Sequence, residues 1–325
     1  MYEQYFGLRE RPFELTPDPR YLLLTPGHRE ALSNLEYGII GRKPITLLTG
    51  EAGTGKTTLL RRVLRTTAEG ASARPGVFVH LNNPKLDRRE FVEYLASGFR
   101  LPPEASSSKA RFLLELERML IAHRRAEIAT ALIVDEAQAM PDELLEEIRL
   151  LVNIESDREK YLPVLLVGQP ELADRLNGYG LRQLKQRVAL RCHLAPLTVQ
   201  ETGAYIATRL KLAGAEPSQI FTRQAVLAIF QRSRGIPRTI NVLADNALVS
   251  AYAQDRRPVD ADIVSEVGAD FDFPVVASLV SQAPAPPPVP VPPPLETEEA
   301  QPDRTATFEG FQERRWSLRR ALGRA

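Results

Sequence analysis

The chain has 325 residues and a mass of 36.3 kDa, with 43% hydrophobic and 26% charged residues, the balance of a globular protein of about two domains plus tails. A formal net charge of +1 gives no global reason to expect a polyanion partner, and one cysteine, Cys192, excludes a disulfide framework within the chain. The opening MYEQYFGLRERPF lacks the apolar core of a secretory signal, and no run reaches the roughly 18 apolar residues of a membrane span.

Residues 1–26 are rich in proline and aromatic side chains and read as an extended strap, not a separate domain. Ala31, Leu32, Leu35 and Ile39 then mark the apolar face of a helix over 27–40. Ile45 to Thr49 is a β-prone run that stops at Gly50. The segment Gly50-Glu51-Ala52-Gly53-Thr54-Gly55-Lys56-Thr57-Thr58 satisfies G-x-x-x-x-G-K-[ST] and leads into Leu59, Leu60, Val63 and Leu64 at helical spacing. Strand, glycine loop and helix form the context this motif needs. The glycines let the backbone turn and aim successive N–H groups at a polyphosphate, and the helix start adds its positive dipole end. Lys56 is expected to reach the β- and γ-phosphates, and the Thr57 hydroxyl to ligate Mg²⁺.

Further on, GVFVHL (76–81) reads as a buried strand, and Asp87 to Glu90 as a capping box opening a helix through Phe99. A second helix is expected over 106–125. ATALIV (129–134) is another apolar strand, closing at Asp135-Glu136, and Pro141 opens a helix to Leu151. LPVLLV (162–167) is a fourth strand, closing at Gly168-Gln169, and 189–194 a fifth. Continuous apolar strands alternating with helices predict an α/β fold, a parallel sheet covered on both faces. From Thr198 only helices are expected: one capped by Thr198 and Glu201 and stopped at Gly214, one capped by Thr222 and ending near Gly235, one over 238–253, and a short one capped by Asp260. The organisation is thus a strap over 1–26, an α/β core over 27–196, a helical domain over 197–272, a polyproline linker over 273–303 and a tail over 304–325. The tail sets Phe308, Phe311, Leu318 and Leu322 among arginines. It reads as disordered and solvated, or as a peripheral contact with acidic lipid, nucleic acid or a partner helix.

Asp135, at the carboxyl end of a buried strand, is placed to hold Mg²⁺ through water, and Glu136 to orient the water that attacks the γ-phosphate. Gln169, ending the fourth strand, faces the ligand side of a parallel sheet. Arg182, Arg187 and Arg191 flank and enter the fifth strand. Any of them can neutralise transition-state charge in a neighbouring subunit, or simply lie on a solvated face. Arg238, in GIPRTIN, opens a helix just after a Gly–Pro turn and is expected to reach back to the γ-phosphate. Cys192, in ALRCHL, reads as a core thiol in a reducing, cytoplasmic compartment. His28, His80, His123 and His193 show no metal-ligand spacing.

GEAGTGKTT, LIVDEAQ, VGQPEL, QRVALRCHL and GIPRTIN occur in the order of an AAA+ ATPase, and with the opening FGLRERPFELTPDPRYLLLTPGHREAL the chain resembles the ExeA/GspA (general secretion pathway protein A) group over about residues 1–270. The resemblance implies a five-stranded AAA+ P-loop core with a small all-helical lid, ATP and Mg²⁺ as ligands, and ATP-driven conformational work. By motif position Gln169 takes the role of sensor 1 and Arg238 of sensor 2. Arg187 is the first choice of arginine finger and Arg191 the second. It also implies a homo-oligomer acting on secretion, pilus or other envelope partners. A proline linker and a basic tail stand where fuller members of the group carry a membrane span and a peptidoglycan-binding domain. This leaves a free cytoplasmic ATPase, or one docked peripherally at the inner membrane by its tail. DNA-binding transposition ATPases of the TniB/MuB type look similar, with DNA as the partner. A helicase is disfavoured, because one P-loop core is present and a helical domain comes after it. A small-molecule kinase is disfavoured because Glu136 suits water activation.

Overall fold

The computed structural model describes residues 1–16, 18–69, 75–155 and 160–274. The expected tail, and the linker from residue 275 on, lie outside the described residues. Five parallel strands, β1 (Ile45–Gly50), β2 (Gly76–Leu81), β3 (Ala129–Val134), β4 (Val164–Gly168) and β5 (Val188–Leu194), form one sheet in the order β2-β3-β4-β1-β5. The two-residue period of a strand splits each apolar run between two layers. Leu48, Ala131, Ile133, Leu165 and Val167 meet helices α2 (Pro26–Ile40) and α3 (Lys56–Glu69) on one face. Leu47, Leu132, Val134, Val164 and Leu166 meet α4 (Arg88–Gly98), α5 (Lys109–Arg125) and α6 (Asp142–Leu151) on the other. Both faces are covered, so the central strands carry no exposed positions; the edge strand β5 alternates exposed with covered residues, and β2 exposes only Gly76 at its start.

Local chemistry sets most helix starts. Thr25, Asp87, Ser108, Thr198, Thr222 and Asp260 each accept a backbone N–H from the first turn, and the Asp87–Glu90 and Thr198–Glu201 capping boxes are complete. The second helix begins at Lys109, not at 106, because residues 103–107 first make a 3₁₀ turn and Ser108 is the cap. β4 begins at Val164, two residues later than expected, just after Pro163, which has no N–H to give a ladder. Two helices not expected from the sequence pattern join β4 to β5, α7 (Pro170–Asn177) and α8 (Arg182–Gln186). At eight and five residues they are too short to show a helical period against an apolar background.

The remaining helices, α9 (Val199–Leu212), α10 (Pro217–Ile220), α11 (Arg223–Ser233), α12 (Pro237–Ala253) and α13 (Ala261–Asp270), enclose their own apolar cluster. The N-terminal residues join this cluster. They are not wholly extended: Tyr2–Phe6 is a short helix, α1, closed by Gly7 at φ 70°, and Tyr2, Phe6, Leu8 and Phe13 are buried among the lid helices. The Tyr2 hydroxyl donates to Asp245 at 2.5 Å. Arg209 of α9 fastens the strap to the lid. It is 6% exposed, donates to the Pro12 carbonyl at 2.5 Å, and lies within 4.7 Å and 5.0 Å of the Tyr21 and Tyr205 ring centroids. Arg209→Ala is expected to lower stability by about 2–3 kcal/mol, from the lost cation–π contacts, the orphaned carbonyl and the void. The urea midpoint measures it, and an unchanged midpoint would show that the strap is held without this residue. Among the described residues, no helix is long and apolar enough to cross a membrane.

Candidate nucleotide site

β1 ends at Gly50, and the chain turns through 51–55 into α3. Gly53 at φ 84° and Gly55 at φ 98° adopt backbone conformations that side chains disfavour. At Gly53 a Cβ would also stand 2.7 Å from the Cβ of Arg238, so glycine lets the lid approach the loop. The lid does so directly: the Arg238 N–H donates to the Gly53 carbonyl at 3.2 Å. Thr54 Oγ1 donates to the Glu51 carbonyl at 2.8 Å and closes the loop. Lys56, only 5% exposed, folds its ammonium over the loop and donates to the carbonyls of Gly50 at 2.8 Å and Glu51 at 3.0 Å. Burial pulls its pKa below the ordinary value, against the opposing fields of Glu136 and Asp135.

Asp135 comes directly after β3 and is buried. The Thr57 hydroxyl donates to its Oδ2 at 3.0 Å, and the Glu136 N–H to its Oδ1 at 2.9 Å. Glu136 itself has φ 52°, and its side chain is exposed at the mouth of a cleft of about 360 Å³. Ala52 to Thr58, Glu136, strap residues 14–16 and the lid residues Tyr205, Asn241 and Arg238 are among those lining this cleft. The fit to a magnesium nucleotide is good on three counts. N–H-rich loop backbone runs into a helix start, a buried ammonium sits beside it, and a hydroxyl–carboxylate pair stands at hydrogen-bond distance. Among the described residues no cluster of three or more His, Cys, Asp or Glu can hold a metal alone.

The loop residues, Lys56, Thr57, Asp135, Glu136 and Arg238 therefore converge. Gln169 and Arg187 do not line the cleft. Gln169 lies just past β4 as the residue preceding α7, and its backbone N–H donates to Gln138 Oε1 at 3.0 Å. Arg187 caps the end of α8, while Arg182 and Arg191 share a separate surface depression with Asn177, Tyr179, Lys185 and Gln186.

Sequence reasoning missed three residues. Gln138 lies within LIVDEAQ, a context that gives it no role of its own; its side-chain amide donates to Glu136 Oε2 at 2.5 Å. His80, at the end of β2, places a buried, otherwise unpartnered Nε2 3.9 Å from Asp135 Oδ2. His28 of α2 lines the cleft, with its ring 2.7 Å from Thr25 Oγ1 and hydrogen-bonded to the Thr54 backbone. Neither histidine has a local signal, because each has its cleft-side partner on a different element.

Burial lowers the pKa of His28 and of His123. The unfolded chain, with ordinary imidazoles, then binds protons first as pH falls. Their stability contribution is complete above about pH 6.5 and is lost as pH drops below it. The melting temperature is expected to fall between about pH 7.5 and pH 5.5, and His28→Asn to flatten that fall. An equally steep fall in the variant would remove His28 as a source.

Parallel strand order, glycine loop, acid pair and a helical lid touching the loop define an AAA+ P-loop NTPase, and the comparisons agree. Residues 40–176 match the AAA domain family. The Aeropyrum pernix ORC2 protein in its ADPNP-ADP complexes superposes with a TM-score of 0.61 at 18% identity over 83% of this chain and 74% of that one. Cdc6p from Pyrobaculum aerophilum gives 0.61 at 18% identity, over 82% and 72%. These likenesses speak to the fold. General secretion pathway protein A of Aeromonas hydrophila is 40% identical over 255 residues, which is 78% of this chain and 45% of that protein. The chain carries the AAA+ fold and, over most of its length, is similar to general secretion pathway protein A; it spans less than half the length of that relative.

Proposed function

We propose that the chain binds Mg²⁺–ATP in this cleft, hydrolyses it, and couples nucleotide state to the lid and to a homo-oligomer serving secretion, pilus or envelope assembly. The observation that carries the reading is Glu136 at the cleft mouth, one residue after the Asp135–Thr57 pair, in the cleft that Lys56 also lines. The nucleotide supplies the phosphoanhydride bond, and Mg²⁺ the charge neutralisation across it. Backbone N–H groups of 50–58 cradle the phosphates, Lys56 neutralises them, and Thr57 with Asp135 would hold the cation. Glu136 orients water for in-line attack and accepts its proton. Gln169 and Arg238 act as sensors 1 and 2. Arg238, bonded through its backbone to Gly53, gives the lid a direct reading of the loop. Arg187, with Arg191 next, supplies the finger to a neighbouring subunit.

The general secretion pathway name of the relative supports an envelope partner. Localisation in the cytoplasm, or peripherally at the inner membrane, belongs to the same reading. The test is ATP hydrolysis by the full chain with and without duplex DNA. Turnover that is independent of DNA supports the reading. Strong, salt-sensitive stimulation by DNA would replace it with a transposition-type function, and the cationic depression around Arg182, Lys185 and Arg191 would be the place to look.

A further inference from the structure

Gln138 has both ends of its amide engaged. Nε2 donates to Glu136 Oε2 at 2.5 Å, and Oε1 accepts the Gln169 N–H at 3.0 Å. The two partners settle the amide's orientation: a carboxylate only accepts and a backbone N–H only donates, so a flipped amide would face like against like at both ends. The backbone makes room for this arrangement. At Gly168 a Cβ would stand 2.7 Å from Gln138 Oε1 and 2.9 Å from Leu172. The turn that carries Gln138 is itself held from α7, where Arg175 donates to the carbonyls of Gln138 at 2.6 Å and Met140 at 2.9 Å and pairs with Asp142.

Glu136, in contrast, has an exposed side chain on a left-handed backbone. A long, exposed carboxylate samples many rotamers, and only those aimed at the cleft are useful for ordering water. We infer that Gln138 is a positioning residue for Glu136, its amide holding the carboxylate at the cleft mouth and tying it to the β4–α7 junction. The inference rests on the hydrolytic reading above. It adds that the water-orienting group is held from within its own turn, and that α7, through Arg175, braces that hold. α7 leads into the basic segment that carries Arg182, Arg187 and Arg191. A contact there therefore has a covalent and hydrogen-bonded route to the carboxylate.

Gln138→Glu separates the two ends of the amide. A carboxylate at 138 still accepts the Gln169 N–H but cannot donate to Glu136, and it repels it. Gln138→Leu removes both bonds at similar volume. In the full chain, both variants are expected to lose about tenfold or more in kcat, while KM for ATP and the affinity for a non-hydrolysable ATP analogue stay within about twofold. In a Glu136→Gln background, either change is expected to cost less than about a further twofold, because the group it positions has already been replaced.

Wild-type turnover in Gln138→Glu overturns the inference, since anchoring of Gln169 alone would then suffice. Losses that multiply in the Glu136→Gln background overturn it too, as does a fall in analogue affinity that parallels the fall in kcat. Should Gln138→Leu fail to fold, Gln138→Glu carries the decision alone. A wild-type chain that does not hydrolyse ATP would fail the hydrolytic reading at the outset, before any variant is compared, and this inference with it.

Discussion

Glu136→Gln is expected to bind ATP as tightly as the unsubstituted chain and to turn it over about 10²-fold more slowly or worse, the usual scale for losing a positioned general base. The substitution keeps the volume and a hydrogen-bonding oxygen but removes the proton acceptor. Binding should survive because the phosphate contacts come from the loop backbone and Lys56, and the cation contacts from Thr57 and Asp135. None of these needs the Glu136 carboxylate: Lys56 is held by the carbonyls of Gly50 and Glu51, and Asp135 by Thr57 and by the backbone N–H of 136. Single-turnover hydrolysis beside equilibrium binding of the non-hydrolysable analogue separates the two properties. Surviving turnover would take the water-orienting role away from Glu136. Loss of binding would mean that its charge is part of the phosphate site. The same variant tests the finger. Mixed with Arg187→Ala subunits, Glu136→Gln subunits should restore turnover, because an intact finger then faces an intact carboxylate. A mixture as inert as its parts would exclude Arg187.

Gly235→Ala is expected to be among the most damaging single changes to stability, at about 3–5 kcal/mol. Gly235 has φ 73°, and a Cβ there would stand 1.9 Å from the Leu197 carbonyl oxygen and 3.0 Å from its nitrogen. That backbone cannot move aside cheaply. The Leu197 N–H donates to the Gly235 carbonyl at 2.8 Å, and the Gly235 N–H to Ser233 Oγ at 3.2 Å. Leu197 lies in the connection from β5 to α9, so the methyl would prise the α11–α12 turn from the segment joining core to lid. The turn also leads through Pro237 to Arg238, whose N–H meets Gly53. Weaker nucleotide binding should therefore accompany the loss of stability. Urea denaturation with and without the ATP analogue measures both. A midpoint shifted by the equivalent of less than about 0.5 kcal/mol would show that the turn opens freely.

Features whose physics is local are legible from the residues alone. A β-prone run, a glycine loop and an amphipathic helix in succession identify the phosphate cradle, because the backbone conformations involved belong to consecutive residues. The acid pair closing β3, the capping boxes at Asp87 and Thr198 and the caps at Thr222 and Asp260 are legible for the same reason. How these pieces meet depends on contacts between distant segments. Sheet order depends on which apolar faces pair, and Leu48, Val167 and Ile133 are equally apolar in any order. That Tyr2, Phe6 and Phe13 belong to the core of a lid far along the chain carries no periodic signal. Nor do the seating of His28 beside the loop, or the amide of Gln138 between the Glu136 carboxylate and the Gln169 N–H. A hydrogen bond between separate elements is a property of three-dimensional distance, and the residue pattern along the chain does not encode it.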